Sequence, residues 1–221
     1  MIIKSPKKTL AQSFKLPPKI EKILWEKCKE AKIKYNNRLV GHIQEEYQLN
    51  VTEEIKNYFF SILNEGPIFA RRVQEIGHFY DDIEKPKHRT HDGKVIEDYP
   101  FDIKLGDVWV NFQKKNEFNP IHKHAGILSF VVFLSIPFTR EEEDKFAPPS
   151  MREKPKNGNF NFIHYTDDYH QNIELAVPVD KTWNGTGLLF ESGQRHYVYP
   201  FYSSDDYRIT ISGNFYLKRK N

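Results

Sequence analysis

Three histidines and one arginine in this chain are spaced for metal chemistry. His122 and His124 flank Lys123 in Asn119-Pro120-Ile121-His122-Lys123-His124, between two apolar runs. Residues two apart on a strand point to the same side, so both imidazoles can reach one metal ion. His196 opens a further apolar run, from which it can close the site across a sheet. Arg208 begins Arg-Ile-Thr-Ile-Ser, where Arg208, Thr210 and Ser212 share one face and Ile209 and Ile211 the other. A guanidinium is a permanently charged fork that matches a carboxylate. The set suggests a non-haem metal centre that also holds an anionic co-substrate. Blander readings stay open: a pair of loop histidines after Asn119-Pro120, and an arginine paired at a rim with Asp205, Asp206 or Glu191. Asn111, polar within Trp109-Val110-Asn111-Phe112, fits either the site or a cross-strand hydrogen bond.

The elements that must carry these residues change character near Pro100. Before it the pattern is helical. Ile20, Ile23, Leu24, Cys28 and Ala31 follow the helical period, and Pro18 is a start signal, so a helix is expected from Pro18 to about Tyr47. A second is expected from Glu53 to Phe69 or beyond, capped by Thr52 and interrupted at Gly66-Pro67. Residues 1–17 read as an extended arm or edge strand, and 84–100 as a polar loop. After Pro100 seven segments read as strands: Asp107–Gln113, Ile127–Phe138, Phe160–Tyr165, Asn172–Val177, Thr186–Glu191, His196–Tyr202 and Tyr207–Leu217. Short strands with no helices between them indicate a sandwich or jelly roll. The division is thus a 1–100 arm and helical support region, and a 101–221 β core, in one structural unit. Arg140–Asn159 is rich in charge and proline and reads as a lid or a mobile surface loop.

Composition narrows the class. The chain has 221 residues, 38% of them hydrophobic and 14% aromatic, which fits a folded domain. A net charge of +3 gives no argument for nucleic acid, although residues 1–38 hold eleven Lys or Arg against three Glu. The lone Cys28 rules out an internal disulfide and suits a reducing compartment. No apolar run approaches the ~20 residues of a membrane helix, and no secretory leader is visible, so the expected location is cytoplasmic. There is no Gly-rich phosphate loop and no nucleophile elbow, which disfavours kinases, dinucleotide enzymes and α/β-hydrolases. His88, His91, His164 and His170 lack metal spacing, and His42 and His78 lie in helical sequence.

The segments Trp109–Phe112, Phe118–His124, Leu128-Ser129, Gly187–Phe190, Arg195–Phe201 and Tyr207–Asn214 resemble a family. It is the 2-oxoglutarate/Fe(II) oxygenases common in bacteriophages, related to the prolyl-hydroxylase-like group. Asn37–Tyr47 is similar to a helical segment of the same family, so the likeness runs from about residue 36 onward.

The resemblance implies a mainly β fold with N-terminal helices, its core a double-stranded β-helix (jelly roll). It implies His122 and His196 as iron ligands, with His124 in the second ligand position, where the wider superfamily has Asp or Glu. It implies Arg208 gripping the distal carboxylate of 2-oxoglutarate, assisted by Thr210. Fe(II), 2-oxoglutarate, dioxygen and an unidentified prime substrate are the implied cofactors and partners, with host cytoplasm as the location if the protein is viral. The implied reaction hydroxylates the prime substrate while 2-oxoglutarate is decarboxylated to succinate. Two other classes fit parts of the pattern. One is a cupin-like three-histidine metalloprotein without a co-substrate, the other a non-catalytic jelly-roll binding or virion protein.

Overall fold

A computed structural model describes residues 1–4, 9–72, 75, 101–147, 149, 155–166 and 171–219. The chain is mainly β, with eleven strands among these residues. The N-terminal part supplies β1 (Ile2–Lys4), β2 (Thr9–Lys15), helix α1 (Pro18–Glu30), β3 (Glu45–Gln48) and helix α2 (Glu53–Ser61). The rest supplies β4 (Phe101–Gln113), β5 (Asn119–His122), β6 (Leu128–Ser135), β7 (Phe160–Thr166), β8 (Gln171–Val177), β9 (Thr186–Glu191), β10 (Arg195–Val198) and β11 (Arg208–Arg219). One sheet has seven strands in the order β1-β2-β9-β6-β11-β4-β3, the other four in the order β5-β10-β7-β8. Every pairing is antiparallel.

The larger sheet is buried on both faces, which explains why β6 is an unbroken apolar run rather than an alternating one. One face takes Val110, Phe130, Val132, Leu134, Ile209 and Ile211 into a core with Leu24 of α1 and Ile55 and Phe59 of α2. The other face turns Val131, Phe133, Leu188 and Phe190 toward Phe160 and Phe162 of the smaller sheet. Alternation then decides where the polar residues go. Because Ile209 and Ile211 face the helices, Arg208, Thr210 and Ser212 must face the space between the sheets. A slip of one residue would push Arg208 into the helix-side core, so burial on both faces fixes the register.

Three expectations change. The first helix ends at Glu30, and Glu45–Gln48 within the expected helix is a strand paired with β4 through Glu46↔Asn111. Pairing to an open sheet edge outweighs helical propensity there. The second helix keeps its Thr52 cap, whose hydroxyl accepts from Ile55 N, but tightens to a 3-10 turn over Ile62–Glu65. Residues 67–72 are helical again beyond Gly66.

The described part of Arg140–Asn159 is no loose surface loop. It holds a short helix, Arg140–Asp144, with a complete Thr139/Glu142 capping box, and it buries Glu143, Asn157 and Asn159. The expected 84–100 loop, and His78, His88, His91 and His170, lie outside the described residues. No helix among the described residues is long and apolar enough to cross a membrane.

Candidate metal centre and its cavity

His122 is the last residue of β5, and His196 lies directly opposite it on β10. His124 is just past the end of β5, so the expected strand spacing does not place it. Its backbone N–H donates to Ser192 O at 2.8 Å, which folds the chain back after the strand ends. Ser192 is held in turn by a buried chain in which Ser129 Oγ bonds Ser192 Oγ (2.8 Å) and Asn214 Oδ1 (2.6 Å). The three imidazoles converge, their ligating nitrogens lying within 4.8 Å of one another. Among the described residues, no carboxylate joins them as a third kind of ligand. Glu191, the nearest in sequence to His196, forms an ion pair with Arg71.

The donor set fits a metal ion. His122 Nδ1 lies 2.7 Å from Pro120 O and His196 Nδ1 2.9 Å from Gln194 O, so each ring carries its proton on Nδ1 and turns the Nε2 lone pair inward. His124 Nε2 and His196 Nε2 are 3.2 Å apart. Two nitrogens at about 2.0–2.1 Å from a first-row metal stand roughly 2.9–3.4 Å apart for octahedral to tetrahedral angles. Burial pushes all three imidazoles toward the neutral, ligating form. His124 falls to about 3 with His122's charge adding, and His196 falls well below the ordinary range with help from both neighbours.

The same cavity reaches the larger sheet. It is lined by Trp109, Asn111 and Gln113 of β4, Arg208, Thr210 and Ser212 of β11, and Glu46 of β3, together with the three histidines. The register aligns Glu46, Asn111 and Thr210 in one row across three strands, with Arg208 beside Gln113 in the next. The pairing of β11 with β6 is irregular between Ile209 and Thr210, where Leu134 of β6 is the extra residue.

Arg208 is 1% exposed. Its Nη1 donates to Gly158 O at 2.9 Å, its guanidinium lies 5.6 Å from the Phe133 ring, and its Nε has no hydrogen-bond partner. Among the described residues Arg208 has no rim carboxylate partner, Asp205 being paired with Lys115 and Glu191 with Arg71. Burial, with Arg140's charge added, pushes Arg208 down to about 9, which leaves it a cation at neutral pH.

Every site residue expected from sequence therefore lines one cavity: His122, His124, His196, Arg208, Thr210 and Asn111. Asn111 Nδ2 donates to Thr210 Oγ1 at 3.2 Å, while its Oδ1 has no partner. Of the phenylalanines on these strands, Phe133 stands beside Arg208, Phe130 stacks on Phe59, and Phe112 packs against Tyr47 and Tyr207 on the helix side. Cys28 is buried, and burial pushes its thiol up to about 12.

Glu46 was not expected. It is 1% exposed, and burial with Glu117's charge nearby pushes its carboxyl up to about 7. The apolar residues Ile43, Tyr47 and Leu49 at even spacings were the available signal of a strand there.

Residues 107–214, just under half of the chain, match the family described as "Putative 2OG-Fe(II) oxygenase". That family implies Fe(II) and 2-oxoglutarate, and the three-histidine cluster could hold a metal ion. No curated protein matches the chain. Among solved structures it is similar to a prolyl-4-hydroxylase from Pseudomonas putida, with 13% identity, TM-score 0.49, and coverage of 96% of this chain and 93% of that one. It is similar also to an oxidoreductase of the 2OG-Fe(II) oxygenase family from Burkholderia pseudomallei, with 14% identity, TM-score 0.45, and coverage of 92% and 84%. A Trichoplax adhaerens prolyl hydroxylase in complex with a hypoxia inducible factor peptide fragment gives 11% identity, TM-score 0.46, and coverage of 95% and 83%.

Proposed function

We propose that this protein is a 2-oxoglutarate- and Fe(II)-dependent dioxygenase that hydroxylates an organic substrate. The observation that carries the reading is Arg208. A buried guanidinium with an unpartnered Nε and, among the described residues, no carboxylate beside it is costly on its own, and it lies in the cavity that holds three convergent, neutral imidazoles. An anionic ligand removes that cost. A dicarboxylate can put one end against Arg208 and the other toward the metal.

In this reading His122 and His196 hold the iron through Nε2, and His124 completes the set as a third neutral ligand. Bound iron would let dioxygen act as the oxidant, one oxygen atom going to succinate as 2-oxoglutarate loses carbon dioxide and the other turning a substrate C–H into C–OH. The protein's own groups bind and orient. Arg208 takes the distal carboxylate, Thr210 Oγ1 and Asn111 stand next to it on the same face, and the phenylalanines between the sheets keep water out. The two sheets are then the halves of a double-stranded β-helix, with residues 1–100 as its support. A cupin-like metalloprotein without a co-substrate would leave Arg208 with nothing to bind.

Calorimetry of the manganese-loaded protein with 2-oxoglutarate tests the reading. Saturable binding is expected, followed by succinate release when Fe(II) and dioxygen replace manganese. No binding of 2-oxoglutarate by the metal-loaded protein would overturn it.

A further inference from the structure

We infer that the prime substrate carries a cationic nitrogen group, an ammonium or guanidinium, received by the carboxylate of Glu46 and the side-chain oxygen of Asn111. The inference rests on the dioxygenase reading for the word "substrate" but stands on its own geometry. Glu46 is buried in the cavity wall with a single side-chain donor, Asn36 Nδ2, 3.1 Å from Oε2. Oε1 has no hydrogen-bond partner among the described residues. It lies toward Gly41, where a Cβ would come 3.0 Å from it and 2.2 Å from Asn119 Oδ1, so a side chain at Gly41 would crowd both. Among the described residues no cation contacts the carboxylate. Lys34, whose charge is felt at Glu46, donates to Gln44 O and lies over the Tyr47 ring, and Arg38 is paired with Asp107. Glu117 adds a second negative charge nearby.

Directly across the sheet Asn111, 5% exposed, presents an unpartnered Oδ1 on the same face. Asn111 Oδ1, which has no donor, and Glu46, whose one side-chain donor is Asn36 Nδ2, face one cavity in one row and suit a ligand rich in N–H. Arg208 lies in the next row and calls for an anion. The cavity is therefore divided by charge, with the co-substrate drawn to one side and a cationic group to the other. Glu46 lies outside the 107–214 segment that matches the oxygenase family, and Asn111 lies inside it.

The test is calorimetric titration at pH 8 with n-butylammonium and with its neutral counterpart 1-butanol, with and without 2-oxoglutarate. Wild-type protein is expected to bind the ammonium at least about tenfold more tightly, the worth of one charge-assisted contact. Glu46→Gln should bring the two probes within about twofold, while Glu46→Asp retains a preference for the cation. Equal or absent binding of the two probes by wild type would overturn the inference, as would a preference that survives Glu46→Gln. 2-Oxoglutarate affinity is expected to be unchanged in Glu46→Gln, and a parallel loss would put Glu46 in the co-substrate site and overturn the inference too. If 2-oxoglutarate fails to bind wild type while the ammonium preference holds, the dioxygenase reading falls and the cation site stands.

Discussion

Glu143 and Arg208 are both buried charges, and only one of them is finished. Glu143, in the short helix Arg140–Asp144, is 0% exposed and accepts N–H bonds from Tyr202 at 2.8 Å and Ser203 at 2.9 Å, one on each oxygen. Arg208, on the floor between the sheets, has one bond to Gly158 O and an orphaned Nε. The two regions touch, since Arg140 donates to Asn157 O beside the carbonyl that Arg208 uses. A charge with its partners complete fastens one segment to another. A charge with partners missing, lining a cavity, is waiting for a ligand. Glu46 falls with Arg208 on this scale.

The comparison can be broken by experiment, beginning where the effect is largest. His196→Ala removes a ligand that no neighbouring carboxylate can replace, so the purified variant should retain no stoichiometric iron by metal analysis. Full occupancy would mean that the three imidazoles are not the site. Arg208→Met should weaken 2-oxoglutarate binding by about 100-fold or more by calorimetry, the order expected for a buried charged contact. Its melting temperature should hold or rise, because an uncompensated charge has been removed. A variant that instead unfolds would make Arg208 structural, like Glu143. Glu143→Ala should show the mirror image, losing about 3 kcal/mol, or roughly 6–12 °C in melting temperature, while 2-oxoglutarate affinity at 25 °C stays within about twofold.

The smallest effect concerns pH. Glu46 has a folded-state pKa near 7, above its ordinary 4.5, so the folded state takes up its proton more readily than the unfolded chain. Its contribution to stability is whole below about pH 4.5 and is lost as pH rises through about 7. Glu46→Gln should therefore melt near wild type at pH 5 and a few degrees above it at pH 8. Equal differences at the two pH values would show that the carboxyl is already partnered.

Seven of the eight strands after Pro100 were legible because their apolar residues alternate or run together, and what they pack against does not alter that pattern; β5 was not among them. The face of Arg208 was legible for the same reason, since Ile209 and Ile211 announce it. His124 was legible only in part: its type and position gave the cluster, but a contact with Ser192, distant in sequence, and not strand geometry, holds it in place. Glu143 and Glu46 were opaque for opposite reasons. Acidic runs such as Glu141-Glu142-Glu143-Asp144 look solvated, and nothing local says that Tyr202 and Ser203 will cover one of them. Glu46 sits in sequence that reads as helix until β4 offers it an edge to pair with.

The order of the larger sheet has one more consequence. Its two outermost positions are filled from the first 48 residues, with β1 and β2 covering β9 at one side and β3 covering β4 at the other. A fragment beginning at residue 101 would present two bare rows of N–H and C=O groups to other chains. The early segment is thus also the protein's guard against self-association, and cutting it away should yield aggregates in light scattering before it yields a smaller enzyme.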